Sequence, residues 1–302
     1  MRILIDGKNL SLFEGTGIAT FTRNLIGNFR NLDHDVELLF GRKLSYTSKD
    51  VLNEIQFYDR KEFNQNKLQR ILTALADTTK KVRSISDKNF VVKEAFKSQF
   101  PTDLKIWNSS SIFDRKQIFF DAMGSYGRLP NFNNFDINLS TSPIPLKMRK
   151  AKNIQVIHDL VPLKLPYTDL HDKRRFFKLI KATIEKNDRI LTVSETSKND
   201  LLTLFPEHGS KIHNIYQSVT IPQKYLDKNE FDFENNLLGT YQLERNGYIL
   251  FYGALEPKKN IRRMIEAYLH ANIEIPLVIA GKDGWLIEDE LKPIQNTFIY
   301  QE

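Results

Sequence analysis

Two adjacent lysines, Lys258 and Lys259, occupy a turn, GALEPKKN (253–260), between an apolar run, YILFY (248–252), and a helix-like stretch, IRRMIEAYLHA (261–271). A helix N-terminus already carries partial positive charge, so lysines placed there raise the electrostatic self-energy unless an anion neutralises it. A phosphate-bearing ligand would do so, with Gly253 ending the strand and Pro257 stiffening the turn. Two solvated lysines on an edge turn are the alternative. His158 closes another apolar run, IQVIH (154–158), and is followed by Asp159. An imidazole there can donate to a phosphate or a sugar hydroxyl, or exchange a proton near neutral pH. Capture by Asp159 or by a backbone carbonyl would instead make it a structural histidine.

Two weaker candidates share this chemistry. Gly15 and Gly17 stand just before a helix with apolar positions Ile18, Phe21, Leu25, Ile26 and Phe29. Without a β-carbon they let an anionic ligand approach the unpaired N–H groups of that helix. The full dinucleotide fingerprint is missing: there is no third glycine in place, and the next strand, VELLF, runs into Gly41 and Arg42 rather than an acidic residue. A plain tight turn explains the two glycines nearly as well. Ser194, after RILTV, opens SETSKNDLLTLF, where a hydroxyl suits an N-cap above an apolar stripe of Leu201, Leu202 and Phe205. Capping alone accounts for it, although its turn follows a strand of the same kind as the one ending at His158. Neither His34, His171, His208, His213 nor His270 has a metal-ligand spacing beside carboxylates, and the chain has no cysteine. No metal site is expected.

The elements that must position these residues are apolar runs of strand length: RILID (2–6), VELLF (36–40), FDINLS (135–140), IQVIH (154–158), RILTV (189–193), KIHNIY (211–216), YILFY (248–252) and PLVIA (276–280). Helical stretches separate them, which indicates an α/β chain with a mostly parallel sheet covered on both faces. Sites in such sheets lie beyond the C-terminal strand ends, where His158, Ser194 and the lysine turn fall. Two segments break the alternation. Residues 43–117 read as a basic, helical insertion, with Leu68, Ile71, Leu72, Leu75 and Val82 on one face of KLQRILTALADTTKKV (67–82). The polar stretch 222–245 reads as a linker. The expected organisation is therefore 1–221, a linker at 222–245, and 246–302.

A chain of 302 residues with 41% apolar content fills one large core or two modest ones. It begins with a strand-like RILID rather than a signal peptide and has no apolar run of about eighteen residues, so it reads as soluble and cytosolic. The net charge is +7, and the segment from Gly41 to Phe120 alone holds 16 Lys/Arg against nine Asp/Glu. Such a patch suits nucleic acid, anionic lipid or a phosphorylated substrate, or simply water. A basic amphipathic helix permits peripheral docking on an anionic membrane. Nucleic acid is disfavoured, because 43–117 has neither an RNA-binding aromatic signature nor a zinc-finger spacing.

Taken in order, these motifs resemble the family 4 glycosyltransferases of the GT-B fold. IDGKNL…GTGIATFTRNLI is similar to that family's N-terminal signature, VIHDLVPLKLP to its histidine strand, ILTVSETSKNDL to the element closing its N-terminal half, and GALEPKKNIRRMIEAY…LVIAGKDGW to the start of its nucleotide-sugar domain. The likeness covers both ends and the second half of the chain, and leaves 43–117 unaccounted for. It implies two Rossmann-like domains and transfer of a sugar from a nucleotide-diphosphate sugar to a surface-polysaccharide or lipid-linked acceptor, with retention and without a metal. It also implies roles. Lys259, helped by Lys258, would hold the donor diphosphate and stabilise its growing charge, a term of a few kcal/mol for one well-placed donor. Gly15, Gly17, Ser194 and Gly253 would border the donor, and His158 would contact the transferred sugar, with Asp159 beside it on the acceptor side.

Three departures accompany the likeness. Ala254 stands where many relatives have arginine, Gln217 and Ser218 follow KIHNIY where a glycine and often an aspartate are usual, and the family's paired glutamates would fall beyond Glu302. The chain is thus expected to stop inside its second domain. The segment from Asn246 holds about 57 residues, against roughly 100 to 150 for an autonomous domain. A piece that small leaves a sheet edge or core face uncovered, so a companion chain, or a remnant that binds without turnover, is the rival expectation.

Overall fold

In a computed structural model, residues 1–11, 17–59, 81–86, 90–96, 99–168, 172–221, 226, 230–284 and 286–295 are described. The chain forms two compact units, Met1–Lys164 with His171–Val219, and Leu165–Leu170 with Thr220–Glu302.

The first unit is built on an eight-stranded sheet. Its strands are β1 (Arg2–Asp6), β2 (Asp35–Phe40), β3 (Arg83–Ile85), β4 (Ile106–Asn108), β6 (Ile137–Ser140), β8 (Lys152–Ile157), β9 (Arg189–Thr192) and β10 (Ile212–Asn214), while β5 (Gly127–Leu129) and β7 (Leu146–Met148) pair separately. The spatial order is β10-β9-β8-β6-β1-β2-β4-β3, and every neighbouring pair is parallel except β3 with β4. Starting from β1, the chain first adds strands on one side (β2, β4) and then on the other (β6, β8, β9, β10). The reversal places a topological switch point between β1 and β6, where the loops leaving the two strands diverge and open a crevice.

Burial follows from the period of two along each strand. In β1, Ile3 and Ile5 join one core with Ala19 and Ile26 of α1 (Gly17–Asn31) and with Leu38 and Phe40, whereas Leu4 joins the opposite core with Leu39, Phe113 and Phe135. Both faces of the central strands are therefore covered, as their continuous apolar runs require. A third cluster, including Ile157, Ile180, Ile184, Ile190 and Leu201, fixes α5 (Lys173–Lys186) and α6 (Glu195–Leu204) near β8–β10.

The described residues of the segment 43–117 are not all helical and outside the sheet. They supply β3 and β4, with α2 (Asp50–Tyr58) before them, and β4 lies against β2 in the same sheet. Three-residue strands are too short to leave an alternating pattern, which is why composition alone suggested a helical insertion. The amphipathic helix expected at 67–82 lies, but for its last two residues, outside the described residues. The apolar run at 211–216 is a strand for three residues only, and that at 135–140 begins pairing at Ile137. The remaining runs form strands close to their expected limits, and helices α3 (Ile112–Met123) and the short α4 (Val161–Lys164) lie before β5 and after β8.

The second unit contains α7 (Glu230–Tyr241), β11 (Ile249–Tyr252), α8 (Ile261–Ala271), β12 (Leu277–Ala280) and α9 (Ile287–Gln295). Helix α7 falls inside the stretch expected to be a linker. It is half polar, with an Arg245–Glu234 ion pair just beyond its end, and its Leu238 and Tyr241 are exposed. Strands β11 and β12 are parallel, and Phe251, Leu277 and Ile279 pack with Leu255, Ile261, Ile265, Ile287 and Leu291. The other side chains of β11 are not covered: Leu250 and Tyr252 are 55% and 83% exposed. A continuous apolar run suits burial on both faces, whereas so small a piece was expected to leave a sheet edge or core face uncovered, and among the described residues the face of Leu250 and Tyr252 has no layer over it.

The two loops leaving β11 and β12 are tied together. Leu255 N donates to Lys282 O, Gly253 N to Ala280 O, and Gly284 N to Leu255 O. A β-carbon on Gly281 would lie 1.7 Å from the Gly253 carbonyl oxygen. Only glycine permits this approach of backbone to backbone. Gly281→Ala should therefore destabilise the second unit by about 1–3 kcal/mol or more, as overpacking does. Denaturant unfolding followed at the two tryptophans and by proteolysis checks this, with the first unit unchanged.

Candidate functional site

The first unit gathers its polar side chains at the switch point. β1 ends in Asp6, whose carboxylate is buried and faces three donors: Lys8 N at 3.1 Å, Thr141 Oγ1 at 2.9 Å and, closer still, Thr141 N. Thr141 is the residue after β6, so this contact bridges the two strands on either side of the reversal. Beside it, Asn9 Nδ2 donates to Ser142 Oγ at 3.3 Å. Burial pushes the Asp6 carboxyl above its ordinary range, opposed by the hydrogen bonds from Thr141 and Lys8 and by the Lys8 charge.

His158 follows β8, the next strand along. Its Nε2 lies 2.9 Å from the Thr141 carbonyl oxygen. A carbonyl can only accept, so Nε2 carries the proton and the neutral ring keeps Nδ1 as an acceptor. Phe21 of α1 meets the ring edge-on, with centroids 5.1 Å apart. Burial lowers the His158 pKa, and the bond to Thr141 O and the charges of Asp159 and Asp6 act the other way. The sequence left open a donor role for this imidazole toward phosphate or sugar. In the structure the ring's one neutral-state N–H is spent on Thr141, which leaves accepting from a hydroxyl as its open function. No partner for Nδ1 is found among the described residues.

The remaining candidates of this unit hold the frame around His158. Ser194 caps α6 by accepting from Ser197 N at 3.1 Å, and its hydroxyl lies 3.0 Å from Ser197 Oγ, which in turn donates to the His158 carbonyl at 2.7 Å. The capping explanation is thus realised, and Ser194 bears on the site through Ser197. Asp159 is exposed and accepts from Val161 N at 3.1 Å, capping α4. Gly17 is the first residue of α1, and a β-carbon there would meet nothing within 4 Å. No contact within the protein calls for glycine at that position. Gly15 lies outside the described residues.

The lysine turn belongs to the second unit, and its charges are divided. Lys258 Nζ is 3.0 Å from Glu256 Oε1. The first turn of α8 has its own anion, because Arg262 N donates to Oε2 of the largely buried Glu290 of α9 at 3.0 Å. The sequence argument held that this helix start lacks an anion unless a ligand brings one; Glu290 supplies part of it from within the chain. Lys259 is exposed and its ammonium has no carboxylate within reach among the described residues. Gly253 sits at the end of β11 in the tied loops described above.

Several residues of this arrangement escaped the sequence reading. Asp6 was visible only as a carboxylate ending a buried strand, an unusual terminus that is itself a signal. Thr141 and Glu290 have no local signature. Among the described residues no group of three or more His, Asp or Glu is placed to hold a metal ion, and no helix is long and apolar enough to cross a membrane.

No protein-family model matches the chain. In sequence it is similar to the O-antigen chain mannosyltransferase B of Escherichia coli, 27% identical over 153 residues, which covers 49% of this chain and 38% of that protein. A serotype-specific mannosyltransferase, WbdA, of Escherichia coli is 28% identical over 148 residues, 47% of this chain and 18% of that protein. The chain thus spans well under half the length of the curated relatives it matches. In structure it is similar to the catalytic domain of starch synthase IV from Arabidopsis thaliana bound to ADP and acarbose, with a TM-score of 0.51 and 11% identity over 98% of this chain and 71% of that one. This likeness shows the fold, an α/β architecture of the GT-B type.

The lowered pKa of His158 has a sign that can be checked. Its folded form prefers the neutral ring, so its share of stability is present above the ordinary value of 6.5 and is lost as pH falls through the folded pKa. In a proton NMR titration His158 should titrate below the ordinary histidine value of 6.5. The acid-side loss of stability should shrink in His158→Gln.

Proposed function

We propose that this chain, related in sequence to mannosyltransferases and built on a GT-B scaffold, takes part in moving a sugar from a nucleotide-diphosphate sugar to a glycan or lipid-linked acceptor, with retention of anomeric configuration. The observation that supports this most is the likeness to two mannosyltransferases over about half the chain. Their names favour a nucleotide-diphosphate mannose as donor and a growing surface polysaccharide as acceptor.

The roles assigned in this proposal draw support from the geometry of each unit. Lys259, with no carboxylate beside it among the described residues, is the group available to a diphosphate. Its charge opposes the negative charge that grows on the leaving group, and lysine rather than a divalent cation serves that purpose here. Lys258, already paired with Glu256, assists by keeping the turn electropositive. Gly253 borders the donor at the end of β11, where its carbonyl is the one that Gly281 approaches. In the first unit, Nδ1 of His158 accepts from a hydroxyl of the transferred sugar, while Asp159 and Ser194 fix the loops on either side. Gly17, and Gly15 before it, give the ligand room at the start of α1. Contact with the inner face of a membrane would accompany a lipid-linked acceptor, and the basic residues between Gly41 and Phe120 suit an anionic surface.

A rival reading is a module that binds donor or acceptor without turnover, alone or beside a companion chain. Product formation from nucleotide-diphosphate mannose and a mannosylated acceptor separates the two. Binding without product, in the chain with or without its natural partners, supports the rival.

Donor binding gives two further tests. A nucleotide sugar at a hundred times its dissociation constant stabilises a fold by about 2.7 kcal/mol. That thermal shift should largely vanish in Lys259→Ala and diminish less in Lys258→Ala; equal losses would contradict the division of labour between them. Gly17→Ala should leave the unliganded melting point unchanged or slightly raised, by up to about 1 kcal/mol for replacing a helical glycine, while weakening the ligand shift. A melting point that drops instead would mean the glycine serves the fold.

A further inference from the structure

We propose that Asp6 is a positioning residue for His158: by holding Thr141 across the switch point, it aims the Thr141 carbonyl that takes the Nε2 proton and thereby presents Nδ1 as the acceptor. The catalytic side of this inference rests on the role given to His158 above; the coupling itself does not.

Three observations carry it. Among the described residues every partner of the Asp6 carboxylate is a donor, namely Lys8 N, Thr141 N and Thr141 Oγ1. That set matches an ionised carboxylate, which only accepts. Thr141 is fully buried and gripped at both its amide and its hydroxyl, so the direction of its own carbonyl is set, and that carbonyl is the partner of His158 Nε2. The imidazole is held from the remaining sides by Phe21 and, through its backbone carbonyl, by Ser197. The ring has little freedom to find another proton acceptor.

The carboxylate is also poorly explained by stability. Folding pushes its pKa up, so ionisation of Asp6 weakens the fold as pH rises through the folded value. The charged groups acting on His158 are Asp6 and Asp159, with Lys8 facing Asp6.

Asn at position 6 cannot satisfy the same three donors. With its oxygen toward Thr141, its NH2 group faces the Lys8 N–H; turned over, it faces the Thr141 N–H. Asp6→Asn therefore loosens the clamp while nearly preserving shape. A purely structural strand-end turn would lose stability in this variant without changing the imidazole.

The experiment uses the full chain with 15N-labelled histidine, His158 being assigned by its loss in His158→Gln. Ring nitrogen shifts above the titration range report the tautomer. The parent should show protonated Nε2 at His158. Asp6→Asn should give a mixture of tautomers and a lower titration midpoint, with the other five histidines unmoved. Thr141→Val, which removes the hydroxyl but keeps the backbone N–H, should move His158 the same way by less, and it carries the test where Asp6→Asn does not fold. An unchanged tautomer and midpoint in a folded variant overturns the proposal. Sugar transfer should fall by about three- to tenfold in kcat/KM, the size of one neutral hydrogen bond. A changed tautomer with unchanged transfer would leave the Asp6–His158 coupling standing and refute the role of His158 in the reaction.

Discussion

A buried carboxylate needs donors, and at the end of β1 they come from the strand on the far side of the reversal. The contact of Asp6 with Thr141 joins β1 to the loop after β6 at the one place in the sheet where neighbouring strands send their chains apart. Left unpaired, such a group would cost several kcal/mol of desolvation. Paired, it fixes Thr141, and through the Thr141 carbonyl it fixes the proton position of His158. The polar centre of the first unit is built outward from this contact. The hydrogen bonds run from strand to strand in spatial order, β1 to β6 to β8, and then through Ser197 to the cap of α6.

The second unit solves a different electrostatic problem. Two lysines precede a helix start, and the protein supplies two glutamates: Glu256 beside Lys258, and Glu290 beneath the first turn of α8. An exposed ion pair contributes little to stability, about 0–1 kcal/mol, so the pairing matters more for where charge remains. It remains on Lys259. The loops that carry this turn are held by three backbone hydrogen bonds and by the absence of a β-carbon at Gly281, which makes the turn a rigid platform rather than a loose surface loop. A divided charge of this kind favours a single ionic contact of defined position over diffuse attraction.

Much of the scaffold was legible in the sequence. Runs such as RILID and VELLF announced strands buried on both faces, and Ile3, Leu4 and Ile5 are all fully buried. Helix α1 was readable from the spacing of Phe21, Leu25 and Ile26. The segment 43–117 misled because β3 and β4 have three residues each, too few for periodicity to outweigh the surrounding lysines. Helix α7 was hidden by its polar composition. Strand β11 shows the limit of the strand pattern: its apolar run suits two covered faces, yet Leu250 and Tyr252 are exposed, as only the small size of the segment hinted.

By itself the sequence determined which residues end the strands, hence that His158, Ser194 and the lysine turn stand where an α/β sheet does its chemistry. It determined too that glycine, lysine and histidine were the types on offer there. The tertiary structure decided the partners of each: that His158 gives its N–H to Thr141 and keeps Nδ1 open, that Ser194 is occupied as a cap, and that among the described residues Lys258 is paired with a carboxylate and Lys259 is not. The reason is physical. Local patterns encode the period of burial along one strand, whereas the partner of a polar atom depends on which strand lies alongside, and β1 meets β6 across about 130 residues of intervening chain.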